Sequence, residues 1–349
     1  MHSFRPDYLS RLNLPGSTAW LVGACMEAKG RQDLWLRQKP EVLEALRELA
    51  IIQSVESSNR IEGVTVAADR LRPVLLGKAE PRERPEEELL GYRKALDWIH
   101  TRHEHIEVTP ANIRRLHELC QGGFSGDAGQ WKKRNNEIVE ILADGERRVR
   151  FVPLPPEKTP AAMEQLCLGY RDTDQQDAHP SLVVIGILVF DFLCVHPFRD
   201  GNGRVARLLE LLALRRHGFH VGSYISLERI VEETKETYYE SLHRSSHGWH
   251  DGKHDLIPWL NYFLSTVRLA YGELEKRFEK VEASGGKSEL VRQTIARQTG
   301  PFSLADIRSQ CPSVSTQAIK KVLQKLREEG KVRLSGRGRG AKWHLLSPQ

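Results

Sequence analysis

The stretch His196-Pro197-Phe198-Arg199-Asp200-Gly201-Asn202-Gly203-Arg204-Val205-Ala206-Arg207 decides how this chain is read. Glycines at 201 and 203 let the backbone turn tightly and leave N–H groups free to face an anion. The apolar run Leu208-Leu209-Glu210-Leu211-Leu212-Ala213-Leu214 follows at once, so the turn opens a helix. A helix N-terminus with unpaired N–H groups is a ready phosphate site. Arg204 and Arg207 lie three residues apart, share one helical face and can grip phosphates as planar forks. Asp200 is a hard oxygen ligand suited to a Mg²⁺ held by those phosphates. His196 stands at the other lip, where a near-neutral imidazole can take a proton. The stretch reads as a cradle for nucleotide phosphates with a general base beside it.

A bare Gly-x-Gly surface turn, with arginines capping nearby carboxylates, is the plain alternative. It does not account for base, metal ligand, glycine nest and two arginines arriving in this order. The P-loop pattern is absent, because no Gly-Lys-Ser/Thr follows the glycines. The segment resembles the signature of the Fic family, His-x-Phe-x-(Asp/Glu)-Gly-Asn-Gly-Arg-x-x-Arg, without a departure.

That resemblance implies a mainly α-helical fold, with a Fic-type helical core and a β-hairpin flap. It implies an enzyme that moves AMP from ATP onto a Ser, Thr or Tyr hydroxyl of a target protein, with Mg²⁺. Carried over by position, His196 is the base and Asp200 the metal ligand. Gly201, Asn202 and Gly203 line the anion nest. Arg204 takes the inner phosphates and Arg207 the γ-phosphate, while Phe198 buries its ring beneath the loop. The hydroxyl attacks the α-phosphorus in line and pyrophosphate leaves, so positioning and charge supply most of the acceleration.

A second segment, Ser58-Asn59-Arg60-Ile61-Glu62-Gly63, ends a helical stretch beginning near Pro40. By itself it is a helix-end glutamate with a glycine stop. It also resembles the family's inhibitory motif, Ser/Thr-x-x-x-Glu-(Gly/Asn). The resemblance implies that Glu62 pairs with Arg207 and misaligns the nucleotide. Ser58 either braces that glutamate or caps a local turn. A third segment, Glu137 to Leu142 and Arg147 to Val152 around Asp144-Gly145, reads as a hairpin. In the family such a flap holds the target peptide as an added strand; packing on the helices alone is the other role open to it. Tyr238 and Tyr239, on an expected helix, resemble family positions near the adenine site but are read as packing residues.

At 349 residues the chain is long enough for two or three domains. We expect an N-terminal helical region with the inhibitory helix over 1–105, a catalytic core over 106–283 and a C-terminal module over 287–349. The opening residues read as an apolar arm, and no signal peptide is expected. The apolar run Leu182–Val195 is too short to span a bilayer and carries Asp191, so it reads as a buried helix and no membrane contact is expected. Five scattered cysteines point to reduced thiols in the cytoplasm.

Charge is uneven. Residues 287–349 hold 13 Lys/Arg against 4 Asp/Glu, while the whole chain carries +6. After a Ser284-Gly285-Gly286 linker, the order helix, helix, Pro312 turn, helix, strand, glycine-rich tip with Arg337 and Arg339, strand resembles a winged helix-turn-helix. Such a module suits DNA phosphates, or a protein or dimer contact. Self-modification, a homodimer, removal of AMP by the same site, and a DNA-binding regulator that senses nucleotide all stay open.

Overall fold

The computed structural model of the chain describes residues 2–36, 40–121, 126–141, 146–283, 287–298, 300–311, 314–336 and 341–346. The expected Asp144-Gly145 turn, the 284–286 linker, Pro312 and the tip arginines 337 and 339 lie outside the described residues.

The apolar run over 182–195 folds as helix α8 (Ser181–Val195), in which every residue from Leu182 onward is buried. A helix apolar on all sides belongs in the middle of a bundle, and the others are arranged around it. They are α1 (Pro6–Leu9), α2 (Gly16–Leu36), α3 (Pro40–Ile61), α4 (Ala68–Leu75), α5 (Arg84–Arg102), α6 (Pro110–Gln121) and α7 (Thr159–Gln176) before it. After it come α9 (Asn202–Arg216), α10 (Leu227–Glu233), α11 (Lys235–Ser246) and α12 (Ile257–Ala283). One buried apolar cluster runs through these elements from Phe4 to Phe278, so residues on both sides of position 105 share it. The hairpin pairs β1 (Ile138–Ile141) antiparallel with β2 (Arg147–Phe151), with an irregularity between Ile138 and Val139.

The polar exception in α8 is Asp191, which is fully buried. It accepts hydrogen bonds from Ser3 Oγ (2.5 Å), Ser3 N (3.2 Å) and Trp249 Nε1 (2.7 Å). A buried carboxyl needs such partners, and here they tie both the N-terminus and the 249 turn to the central helix.

The chain differs from the sequence expectation in two places. The expected N-terminal arm is mostly the 21-residue helix α2, packed along α12. Helix α4, with Pro73 inside it, was not foreseen. After the hairpin, helix α7 starts at Thr159, whose Oγ donates back to Pro155 O (3.1 Å), and runs to Gln176.

The C-terminal residues build a second buried cluster from Val291, Ile295, Phe302, Ile307, Ile319, Leu323, Leu326 and Val332, among others. Its elements are α13 (Lys287–Ala296), α14 (Leu304–Gln310), α15 (Thr316–Glu328), β3 (Val332–Ser335) and β4 (Lys342–Leu345). Ser303 and Asp306 form a reciprocal capping box at α14, and Ser315 caps α15. Phe302 pairs by backbone with Trp343, adding a third short strand position to the β3–β4 pair. Helix α13 packs on α3, and Arg297 Nε lies 3.0 Å from Glu48 Oε2 there.

Close approach of α12 to α8 depends on Gly186. A Cβ there would stand 2.6 Å from Leu260 Cδ2 and 3.2 Å from Phe263 Cδ1, and Gly186 O accepts from Trp259 Nε1 (2.8 Å). Gly186→Ala should therefore destabilise the core by about 1–3 kcal/mol through overpacking. Urea unfolding of the two proteins checks this, with an unchanged midpoint as the contrary result.

Candidate active site

The cradle sits where α8 hands over to α9. His196 ends α8 in the left-handed region (φ 50°), a conformation a histidine tolerates better than most residues. Gly201 (φ 77°) then stands at the N-cap of α9. Between them the loop is closed by Asn202, whose Oδ1 accepts from Phe198 N (2.9 Å) while its Nδ2 donates to Phe198 O (2.8 Å). Both side-chain atoms of Asn202 are thereby engaged, which leaves only its backbone N–H for an anion.

Residues outside the twelve-residue stretch brace it. The Phe198 ring is fully buried and stacks on His117 (centroids 3.8 Å apart, planes 6° apart), with Trp131 at 5.0 Å. His117 Nδ1 accepts from Gly129 N (2.9 Å), so its Nε2–H faces Asp200 O (3.1 Å). Burial holds the His117 ring down at about 4, so it stays neutral in this role. Lys132 N donates to Pro197 O (2.8 Å), and its buried ammonium reaches Val195 O (3.2 Å) and Asn136 Oδ1 (2.8 Å). Asn136 Nδ2 in turn donates to Phe198 O (3.0 Å). None of these helpers was read from the sequence.

His196 Nδ1 lies 3.3 Å from Leu193 O. A proton on Nδ1 donated there leaves the lone pair on Nε2. Burial pushes the imidazole down to about 4, because a charged ring is disfavoured away from water. The ring is therefore a neutral base at ordinary pH, further from the free-histidine value than the sequence alone implied. Cys194, two residues earlier, is buried, and burial pushes its thiol well up, so it is packing and not a nucleophile.

The arginines enter the core. Arg204 and Arg207 are 1% and 5% exposed, which for guanidinium groups requires counter-charges. Arg207 NH2 donates to Glu62 Oε1 (2.7 Å) and to Ser58 O (3.0 Å), and its Nε donates to Ser58 Oγ (2.9 Å). Burial works against the Arg207 charge, and Glu62 more than offsets it, so the net shift is upward. Ser58 thus holds the arginine and not the glutamate. Glu62 is fixed by a Schellman turn: Gly63 N bonds Arg60 O (3.0 Å), Val64 N bonds Asn59 O (2.9 Å), and Gly63 has φ 79°. The Glu62 carboxylate lies against Gly203, in space that any side chain at 203 would need. Arg204 has a partner the sequence did not disclose, Glu88 of α5, at 2.6 Å from NH1.

Within the cradle two of the buried guanidinium nitrogens, Arg207 NH1 and Arg204 Nε, have no acceptor among the described residues. Buried donors are normally paired, and Arg207 NH1 lies 3.1 Å from the Cβ position on Gly203, facing the loop. Phosphate oxygens would satisfy them. The Asp200 carboxylate is 59% exposed at the mouth and accepts from Gly201 N (2.6 Å). Among the described residues no group of three or more His, Cys, Asp or Glu could hold a metal unaided. A Mg²⁺ bound through nucleotide phosphates needs only one or two carboxylates, so Asp200 fits that role. Tyr238 and Tyr239 lie near enough to Arg207 and Glu62 to feel their charges, with the Tyr238 hydroxyl pushed up by burial first.

The helical core thus has a central helix that ends in this braced histidine loop. A family model described as the Fic/DOC family matches residues 107–214. A Fido domain-containing protein of Dictyostelium discoideum is 31% identical over 105 residues, 71% of its length and 29% of this chain. The chain belongs to the Fic/DOC family. Protein adenylyltransferase Fic of Nematostella vectensis is 27% identical over 224 residues, 62% of this chain and 47% of that protein. Protein adenylyltransferase fic-1 of Caenorhabditis elegans is 28% identical over 209 residues, 58% of this chain and 37% of that one. The chain thus spans less than half the length of these curated adenylyltransferases. Among solved structures, a Fic family protein from Desulfovibrio desulfuricans aligns with a TM-score of 0.61 at 19% identity, over 97% of this chain and 98% of that one. That likeness is one of fold.

In a histidine-observed NMR titration, the His196 ring should stay neutral through the free value of about 6.5 and take its proton near about 4. A midpoint at the free value would contradict the neutral imidazole. The sign for stability follows: the unfolded chain gains protons below the free value while the fold resists, so His196 and His117 cost stability as pH falls through that window.

Proposed function

We propose that this chain transfers AMP from ATP to a hydroxyl of a target protein and that Glu62 restrains the transfer. The observation that carries it is the Glu62–Arg207 ion pair at 2.7 Å, beside an Arg207 NH1 that lacks an acceptor. A carboxylate standing at a phosphate's place is what an idle cradle requires. The names of the relatives in Nematostella vectensis and Caenorhabditis elegans support the same activity.

The triphosphate would lie along the Gly201–Gly203 backbone at the start of α9, with Arg204 and Arg207 on its oxygens. A Mg²⁺ held by Asp200 and the phosphates would neutralise charge on the leaving pyrophosphate. The Nε2 lone pair of His196 would remove the proton of the incoming hydroxyl, and the α-phosphorus–oxygen bond to pyrophosphate would break as the new ester forms. The hairpin stands ready to align the target: Val149 and Val152 are about half exposed, and Val152 O is held by His250 Nε2 (2.9 Å). An extended segment could add to its free edge. With Glu62 on Arg207, the γ-phosphate loses its partner and the α-phosphorus is not presented in line.

Glu62→Gly should raise transfer of label from α-labelled ATP at least about tenfold, equivalent to ~1.4 kcal/mol in the barrier. Adding His196→Ala to that protein should lower it by about 10²–10⁴-fold, with ATP binding retained. No gain in the first protein refutes the restraint, and undiminished transfer in the second refutes the base.

The C-terminal module supports a second reading, contact with a nucleic-acid duplex. The exposed face of α15 presents Lys320, Lys321, Gln324, Lys325 and Arg327. A groove of about 730 Å³ runs between α14, α15 and the β3–β4 pair, lined by Arg308, Lys320 and Arg327. A helix with such a face suits a major groove flanked by phosphates. Replacing Lys320, Lys321 and Lys325 by Glu should abolish retention of duplex DNA at low salt and flatten its salt dependence. Retention equal to the parent's would leave the module to another partner.

A further inference from the structure

Helix α5 brings a third arginine to the cradle, from far outside the signature. Arg84, in its first turn, gives Nε to Glu88 Oε1 at 2.6 Å, and the other oxygen of Glu88 takes Arg204 NH1 at 2.6 Å. One carboxylate, 3% exposed, thus spaces and orients two guanidinium groups. An (i, i+4) pair on an open helix face contributes little, but Glu88 is not on an open face. Arg84 is the opposite case, with its side chain 58% exposed. Its free end leans over the mouth, with NH2 3.6 Å from Asp200 Oδ2, while Arg204 NH2 reaches the same oxygen from the other side at 3.8 Å.

Charge decides what Arg84 is for. In the resting cradle Arg84, Arg204 and Arg207 face Glu62, Glu88 and Asp200, so these six side chains balance in charge. When Glu62 leaves, two carboxylates remain. Without Arg84 the two signature arginines would only balance those two carboxylates, leaving no surplus guanidinium for the outer phosphates. With Arg84 the protein itself supplies a net positive charge, placed at the mouth and fixed in direction by Glu88.

We infer that Arg84 is a substrate-binding group for the outer phosphates of the nucleotide and for the departing pyrophosphate, with Glu88 as its positioning residue. This rests on the adenylyl-transfer reading for the identity of the nucleotide. The ligand chemistry is a polyphosphate; the nucleoside is not Arg84's concern. Its exposed, rotatable fork can leave Asp200 for phosphate oxygens without disturbing the core, since Nε stays on Glu88.

The test uses full-length Glu62→Gly protein as parent, with Arg84→Ala and Arg84→Lys built on it. Calorimetry measures ATP and adenosine binding, and steady-state transfer with α-labelled ATP gives KM, kcat and inhibition by pyrophosphate. Arg84→Ala should weaken ATP and pyrophosphate by about tenfold, the scale of one charged hydrogen bond, and leave adenosine unchanged. KM should rise far more than kcat falls, and Arg84→Lys should recover part of the loss through charge alone. Equal ATP affinity in parent and Arg84→Ala overturns the inference, as does an equal loss for adenosine, which would mark a general structural effect. A parent that binds ATP with this Arg84 dependence yet transfers no label would keep the phosphate subsite and remove the transfer reading.

Discussion

Two guanidinium groups at the start of α9 are buried in a helical core, and much of the surrounding architecture answers the need to balance them. Burying a charge without a partner costs several kcal/mol. Arg207 finds Glu62 and two groups of Ser58; Arg204 finds Glu88. These partners come from α3 and α5, so the positions of both helices are tied to the cradle. The polar face that α3 turns inward, Ser54, Ser57, Ser58 and Asn59, is nearly fully buried. Ser54 Oγ donates to Glu228 Oε2 (2.6 Å), and Tyr92 OH donates to its other oxygen (2.9 Å). A buried polar seam of this kind is fully satisfied only in one register, which places Glu62 against Gly203.

The loop itself is held by a different principle. Its shape depends on one bidentate side chain, Asn202, and on an aromatic stack of Phe198 with His117. Neither contact uses the atoms that would meet a phosphate. The outer oxygen of Asp200 and the unpaired arginine nitrogens stay clear of these two contacts while the scaffold keeps them in place. Preorganisation of this sort is what makes a charged site effective in a low-dielectric setting.

The sequence disclosed what is contiguous. Residues 196–207 hold the expected base, nest and arginines within one loop and the start of one helix, so local spacing was enough to group them. Glu62 became legible only through a motif resemblance, since a glutamate before a helix-stopping glycine is ordinary. Glu88, Arg84, His117, Lys132 and Asn136 act on the loop from 60 or more residues away in the chain, and no spacing rule links them to it. Helix α2 escaped notice for a packing reason. Its buried stripe is Thr18, Val22, Cys25, Ala28 and Gln32, with the right period but few large apolar residues. Hydrogen bonds complete it: Thr18 Oγ1 donates to Asn261 Oδ1 (2.7 Å), and Gln32 Oε1 accepts from Tyr271 OH (2.8 Å).

In the proposed reading, restraint and substrate binding are one competition. Glu62 holds Arg207 as an intramolecular ligand, so the nucleotide's γ-phosphate must displace a group already in place. Its apparent affinity is then reduced by the fraction of time the site is free. The Schellman turn keeps Glu62 close even when the ion pair breaks, because Gly63 and Val64 are bonded to Arg60 and Asn59 rather than to the cradle. Relief of restraint therefore calls for rotation of the Glu62 side chain or movement of the end of α3. That helix also packs on α13 of the C-terminal module and pairs Glu48 with Arg297. The helix that leads to Glu62 thus touches the buried arginine at its C-terminal end and the C-terminal module nearer its start.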